Sequence, residues 1–283
     1  LSLSGDVVAP GFFENILNAE NVLYRPYGSG ESAAFNLAYN IHVLLFQWES
    51  NQVDMEEEAR VLKDLNTVFQ RLLSYMAPED GSFKMFRDDK KSSVWLTAFV
   101  AKTLALARVK GSWDTDLFIP KEVLTRAVAY IISKQNTTTG AFEPEEMDLA
   151  FDRKMASLEQ MKNNKMLTHP IPLTAYVIIA LSHISDSSKD IEPAKRAAAR
   201  YLTSQAAQMS DSDVFFMAIS AYALTLTQTN SDLPDRLLKL KRNDSDYMYF
   251  ANQRVYRNPG KILNTESYFD PRQELLNDAY SVQ

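Results

Sequence analysis

The sequence predicts an all-α protein, an α/α toroid of about six helical hairpins with an inner and an outer ring of helices. Three observations carry that expectation. Between its Gly and Pro breakers the chain shows helical periods and no alternating strand pattern. Two kinds of helix alternate, one apolar nearly all round and one with a single apolar stripe, as two concentric layers require. The inner kind also shares a short repeat: Leu96-Thr97-Ala98-Phe99, Leu173-Thr174-Ala175-Tyr176 and Ile219-Ser220-Ala221-Tyr222. In each copy a small residue beside an aromatic ring lets helices approach closely while the ring fills the gap.

Taken in order, residues 10–24 contribute a first pair. Ala33 to Trp48 is apolar nearly all round and reads as an inner helix. Val61, Leu62, Leu65, Val68, Phe69, Leu72 and Leu73 form the stripe of an outer one. A turn, Asp80-Gly81-Ser82-Phe83, leads to the inner helix Val94 to Ala107. The next outer stripe is Val123, Leu124, Ala127, Val128 and Ile131, and the turn after it, Thr139-Gly140-Ala141-Phe142, echoes the first. Leu173 to Ile184 and Val214 to Leu226 are inner helices. Residues 194–207 and 234–241 are weaker outer ones, and a last helix is expected at 272–283. The whole, 1–283, reads as one domain.

Composition narrows function. With 46% hydrophobic residues in 283, the chain can bury a large core. A net charge of −6, with no stripe of Lys or Arg, argues against nucleic acid as a partner. No apolar run reaches the length of about 18 residues that spans a membrane. Zero cysteines excludes disulfides, thiolate zinc sites and Cys nucleophiles. A first residue of Leu without a cationic leader leads us to expect an excised domain or a processed fragment of a larger protein.

Three stretches carry a family likeness: Gly5-Asp6-Val7-Val8-Ala9-Pro10, Leu23-Tyr24-Arg25-Pro26-Tyr27-Gly28-Ser29-Gly30-Glu31, and Trp95-Leu96-Thr97-Ala98-Phe99-Val100-Ala101-Lys102. Together they resemble the thioester domain of the complement and alpha-2-macroglobulin superfamily, with the insect thioester-containing proteins nearest. In active members of that family the motif reads Gly-Cys-Gly-Glu-Gln, and the Cys sulfur is joined to the Gln side-chain carbonyl. Here the motif is degenerate: Gly28, Ser29, Gly30, Glu31, Ser32. Ser29 stands at the Cys position, and Ser32, at the Gln position, offers no acyl donor. The family's catalytic histidine, which forms an acyl-imidazole in members that favour hydroxyl targets, falls at or near Ala150, and 143–168 contain no histidine. The Gly-Gly pair expected after it is replaced by Glu159-Gln160-Met161-Lys162-Asn163-Asn164-Lys165.

Other residues invite a chemical reading beside a plainer one. Glu143, Glu145, Glu146 and Asp148 suggest a carboxylate pair for glycoside hydrolysis, but read better as a solvated loop or helix start. Asp211-Ser212-Asp213 suggests a cyclase acid or metal ligand, but reads better as an N-cap. His42 is expected packed in the core, and His169 and His183 at the surface or capping. No metal site and no cofactor is expected. Met147, Met155, Met161 and Met166 are expected to fill packing gaps. Asn136-Thr137-Thr138 and Asn243-Asp244-Ser245 fit the N-glycosylation pattern, both in expected loops.

The resemblance implies a non-catalytic, non-covalent protein-interaction domain of a secreted, extracellular complement-like innate-immunity glycoprotein, acting in haemolymph or at the cell surface. It further implies packing against macroglobulin-like and CUB domains of the parent chain, and microbial or cell-surface ligands. Two alternatives stay open: a toroid enzyme of glycoside hydrolase or cyclase type, and a cell-junction or adhesion role.

Overall fold

A computed structural model describes residues 28–109, 113, 116–144, 170–185, 189–209, 211, 214–244 and 247–250. Eight helices occur among them: α1 (Gly30–Glu49), α2 (Met55–Leu73), α3 (Val94–Ala107), α4 (Lys121–Ser133), α5 (Pro170–Ser182), α6 (Ile191–Ala206), α7 (Val214–Leu226) and α8 (Leu233–Leu240). They pack as four hairpins, α1 with α2, α3 with α4, α5 with α6 and α7 with α8. Within this set α1, α3, α5 and α7 form a continuous inner row, each packed on the next. The all-α expectation holds. The segments expected to complete the six hairpins, 10–24 and 272–283, lie outside the described residues.

Burial separates the layers as the sequence pattern requires. Every residue of α5 from Ile171 to Leu181 is buried, and α3 and α7 are buried on nearly all sides. The outer helix α2 instead buries one stripe, Glu58, Val61, Leu62, Leu65, Phe69 and Leu72. Three helix starts are capped by side chains: Ser29 accepts from Ser32 N, Ser93 from Leu96 N, and Asp54 from Glu56 N and Glu57 N. The three glutamates that open α2 lie at the positive end of its dipole.

The two echoing turns explain how outer helices feed inner ones. Met76 bridges Phe83, and Gln135 bridges Phe142, closing two equivalent loops. In each, the Phe N–H donates to the threonine of the inner repeat, Phe83 N to Thr97 Oγ1 and Phe142 N to Thr174 Oγ1, both at 2.9 Å. Gly81 and Gly140 adopt φ of 82° and 81°, a left-handed conformation. Each also presses on the following outer helix: an added Cβ would lie 2.5 Å from Arg126 Cβ of α4 or from Ala197 O of α6. The third copy of the repeat departs from this. Ser220 is fully buried and its hydroxyl has no hydrogen-bond partner among the described residues.

One expectation is corrected. A short antiparallel ribbon, β1 (Arg242–Asp244) and β2 (Tyr247–Tyr249), follows α8, where the sequence led us to expect no strand. Three residues a side are too few to establish an alternating pattern in a sequence. Asn243, expected in a loop, is therefore a ribbon residue paired with Met248.

Candidate functional site

The degenerate motif forms the entry to α1. Gly28 takes a φ of 95° and Ser29 is extended, at φ −146° and ψ 157°, so the chain turns sharply into the helix at Gly30. Ser29 Oγ accepts from Ser32 N at 3.1 Å and lies 2.9 Å from Ser32 Oγ. The two side chains three residues apart thus meet directly, tied by a hydroxyl–hydroxyl hydrogen bond and a helix cap. Both serines are half-exposed, and Gly28 is exposed.

A second strip of chain holds this turn from behind. Gly30 N donates to Met85 O at 2.7 Å, and Lys84 N donates to Tyr75 O at 3.0 Å. At Gly30 the packing leaves no room for a side chain: a Cβ would stand 2.3 Å from Lys84 O and 3.1 Å from Cβ and Cγ of Tyr75. The Tyr75 ring is in turn covered by the Arg87 guanidinium, 5.3 Å from its centroid. The site is therefore a shallow turn between the start of α1 and residues 75–87. Chemically it offers two hydroxyls that satisfy each other and a helix N-terminus, and among the described residues neither hydroxyl is bonded to an imidazole or amine that would activate it.

The other sequence candidates distribute as follows. Ala150, Glu145, Glu146, Asp148, His169, the methionines at 147, 155, 161 and 166, and the stretch 159–165 lie outside the described residues. Glu143 is exposed and lies 3.4 Å from Asn136 Nδ2. Asn136 follows α4 in the second turn, half-exposed, where its Oδ1 accepts from Thr138 N and Thr139 N at 2.9 and 3.1 Å. Asp211 bonds Arg236 at 2.8 Å, so its carboxylate serves an ion pair that ties α8 to the end of α6. His183 turns its Nδ1 back onto Ile179 O at 2.8 Å, the helix-end role expected of it. His42 corrects the reading: it is exposed on α1, not packed in the core. No cluster of three or more His, Cys, Asp or Glu able to hold a metal occurs among the described residues.

Two groupings escaped the sequence reading. Glu58 Oε1 accepts from the indole nitrogens of both Trp48 and Trp113, the latter at 2.6 Å. The signal was available, because Glu58 falls in phase with the apolar stripe of α2. The second grouping is His42 with Lys102 and His183. His42 keeps an exposed edge yet is partly enclosed by its neighbours; that partial burial, then the charges of Lys102 and His183, pushes its imidazole below the ordinary value, and burial does the same to the Lys102 ammonium.

The family model described as "A-macroglobulin TED domain" matches residues 1–273. Ovostatin of Gallus gallus is 28% identical over 271 residues, covering 93% of this chain but only 16% of ovostatin. A crystal structure of native alpha-2-macroglobulin from Escherichia coli, spanning domain MG7 to the C-terminus, aligns with 80% of this chain and 31% of its own. That alignment has 17% identity and a TM-score of 0.47. No helix among the described residues is long and apolar enough to cross a membrane. On the match of the family model across nearly its whole length, this chain belongs to the alpha-2-macroglobulin and complement superfamily, as a thioester domain.

Proposed function

We propose that this domain works by non-covalent protein contacts, the thioester chemistry of its family having been lost. One observation carries the reading: the side chains at the two positions that would form the thioester are serines, and their hydroxyls meet at 2.9 Å in the turn where the acyl bond would close. A hydroxyl pair contains neither thiol nor acyl donor, so the turn brings the two side chains together without an electrophile. Gly30, wedged against Lys84 and Tyr75, supports the idea that the turn is retained as structure.

The wider role follows from the family. The chain would be one domain of a larger secreted protein, in keeping with its covering only 16% of ovostatin. It would pack against macroglobulin-like and CUB domains of the same parent and serve complement-like recognition outside the cell. Asn136, in an exposed turn, is the better placed of the two sequons for a glycan, since Thr137 and Thr138 beside it are exposed.

The test is methylamine incorporation, read by intact mass and peptide mapping of the 283-residue chain. No adduct is expected at Ser29 or Ser32. A Ser29→Cys/Ser32→Gln double variant serves as the comparison, and with no other cysteine in the chain any free thiol it releases is assigned at once. Methylamine incorporated by the unaltered chain would sink the proposal.

A further inference from the structure

Away from the motif turn, the outer layer holds a concavity whose polar groups share one chemistry. Helix α4 packs on α3, and α6 packs on α5 and α7. Residues of α4 and of the start of α6 line a cleft of about 400 Å³ between them. Small-molecule sites span roughly 300–1,000 Å³, and this cleft equals the space of about a dozen waters at about 30 Å³ each. Its floor is apolar: Val128 and Ile191 are buried and Ile132 is half-buried. Thr125 and Ser133 form its rim, with exposed Ala129 midway, so only a methyl group stands between the two hydroxyls. The loop after α4 fixes the frame, because Gln135 Nε2 donates to Ala194 O of α6 at 2.9 Å and Gly140 abuts Ala197. The cleft is therefore formed before any ligand arrives.

Among the described lining residues, every polar side chain is an acceptor. A hydroxyl has one hydrogen to give. Thr125 gives its hydrogen to Lys121 O at 3.1 Å, and Ser133 gives its own to Tyr130 O at 2.7 Å. Both oxygens keep lone pairs for an incoming donor. Asp190 adds a carboxylate where α6 begins. It stands at the N-cap position, yet its side chain accepts from none of the helix N–H groups, unlike Asp54 at the start of α2. The cations around it leave it unneutralised: Lys195 is paired with Glu192 at 2.7 Å, and Lys189 has no ion pair with a described residue.

We infer that the cleft between α4 and α6 binds a small organic ammonium ion, its apolar body on Val128, Ile132 and Ile191 and its N–H groups directed to Asp190 and the rim hydroxyl oxygens. A carboxylate ligand is disfavoured by the same inventory, since its oxygens would meet only acceptors. A plainer role for Asp190 is to complement the positive end of the α6 dipole. That role needs neither a cleft nor an acceptor rim, and it discriminates among no ligands.

The experiment titrates the full 283-residue chain, carrying methyl-labelled valine and isoleucine, with phenylpropylammonium and follows the methyl signals by NMR. Phenylpropanol and phenylpropanoate serve as neutral and anionic counterparts of similar shape. The ammonium ion is expected to give shifts at Val128, Ile132 and Ile191 that saturate by about 10 mM, with the alcohol weaker and the carboxylate weakest. Asp190→Asn keeps a good N-cap residue. It should weaken the ammonium ion at least about threefold and leave the alcohol unchanged. Ala129→Phe, at an exposed position, fills the cleft and should abolish the shifts while far-UV circular dichroism stays the same. Absence of saturation, shifts confined to other methyls, equal affinity for the three probes, or undiminished affinity in Asp190→Asn or in a folded Ala129→Phe variant would each overturn the inference.

Discussion

Substituting Glu58 by Ala removes one acceptor that serves two tryptophans at once. Glu58 is 9% exposed and Trp113 1% exposed, so the Trp113 N–H left behind has no access to water. A hydrogen bond to a carboxylate contributes about 1.5–3 kcal/mol, and its loss strands a buried donor. Trp48 is half-exposed, so water recovers part of its loss. The sum is a destabilisation of about 3 kcal/mol. Glu58→Gln keeps a carbonyl oxygen at the same reach and is expected to cost only about 1 kcal/mol. Urea unfolding followed by far-UV circular dichroism gives the free energies, and tryptophan fluorescence reports Trp48 and Trp113 leaving their shared acceptor. If Glu58→Ala lies within about 1 kcal/mol of the parent, the two-indole bond has no energetic weight. If Glu58→Gln is as damaging as Glu58→Ala, the charge matters and the acceptor geometry does not.

Further expectations follow from other contacts. Thr97→Val and Thr174→Val each strand a buried Phe N–H, so each should lower stability by about 1–2 kcal/mol. The two losses should add in the double variant, because the turns are separate; a strongly non-additive result would mean that they unfold as one unit. Ser29→Ala removes the cap of α1 and the bond to Ser32 and should cost about 1 kcal/mol in urea unfolding, with no cost at all contradicting the capping geometry. Burial, then Glu143, raise the Tyr201 phenol above its ordinary value of 10.0. Above pH 10 the unfolded chain therefore loses this proton first, and stability falls as pH rises toward the folded-state value. Tyr201→Phe should flatten that alkaline loss, and an unchanged slope between about pH 10 and 11 would refute the assignment.

How much the sequence disclosed depended on whether burial left a period to read. Val94–Ala107 and Val214–Leu226 stand out because α3 and α7 are mostly apolar between polar flanks, with Lys102 the one charge in the two. The start of α2 was less legible. Its first turn is Glu56, Glu57 and Glu58, charges that resemble a loop in composition yet suit a helix N-terminus capped by Asp54. Likewise α5 begins at Pro170, since proline is tolerated in a first turn, where its missing N–H costs nothing. The candidate site was legible as far as the identities Ser29 and Ser32. The meeting of their hydroxyls is local, three residues apart in one turn, whereas the wedging of Gly30 against Lys84 depends on a residue some 54 positions later and cannot be read from the local sequence. His42 was misread because its neighbours along the chain are apolar, while the side of α1 it occupies is open.

The turn glycines make mutational tolerance directional along this chain. Gly81 and Gly140 press on Arg126 and Ala197, which belong to the outer helix of the following hairpin. A residue on an outer helix therefore answers to a loop that was made earlier in the chain. Enlarging Ala197 would be felt first at Gly140, across a turn with which it shares no secondary structure. Each hairpin thus constrains the surface of its successor, and a substitution scan should find unexpectedly intolerant positions on α4 and α6 where these two loops touch down.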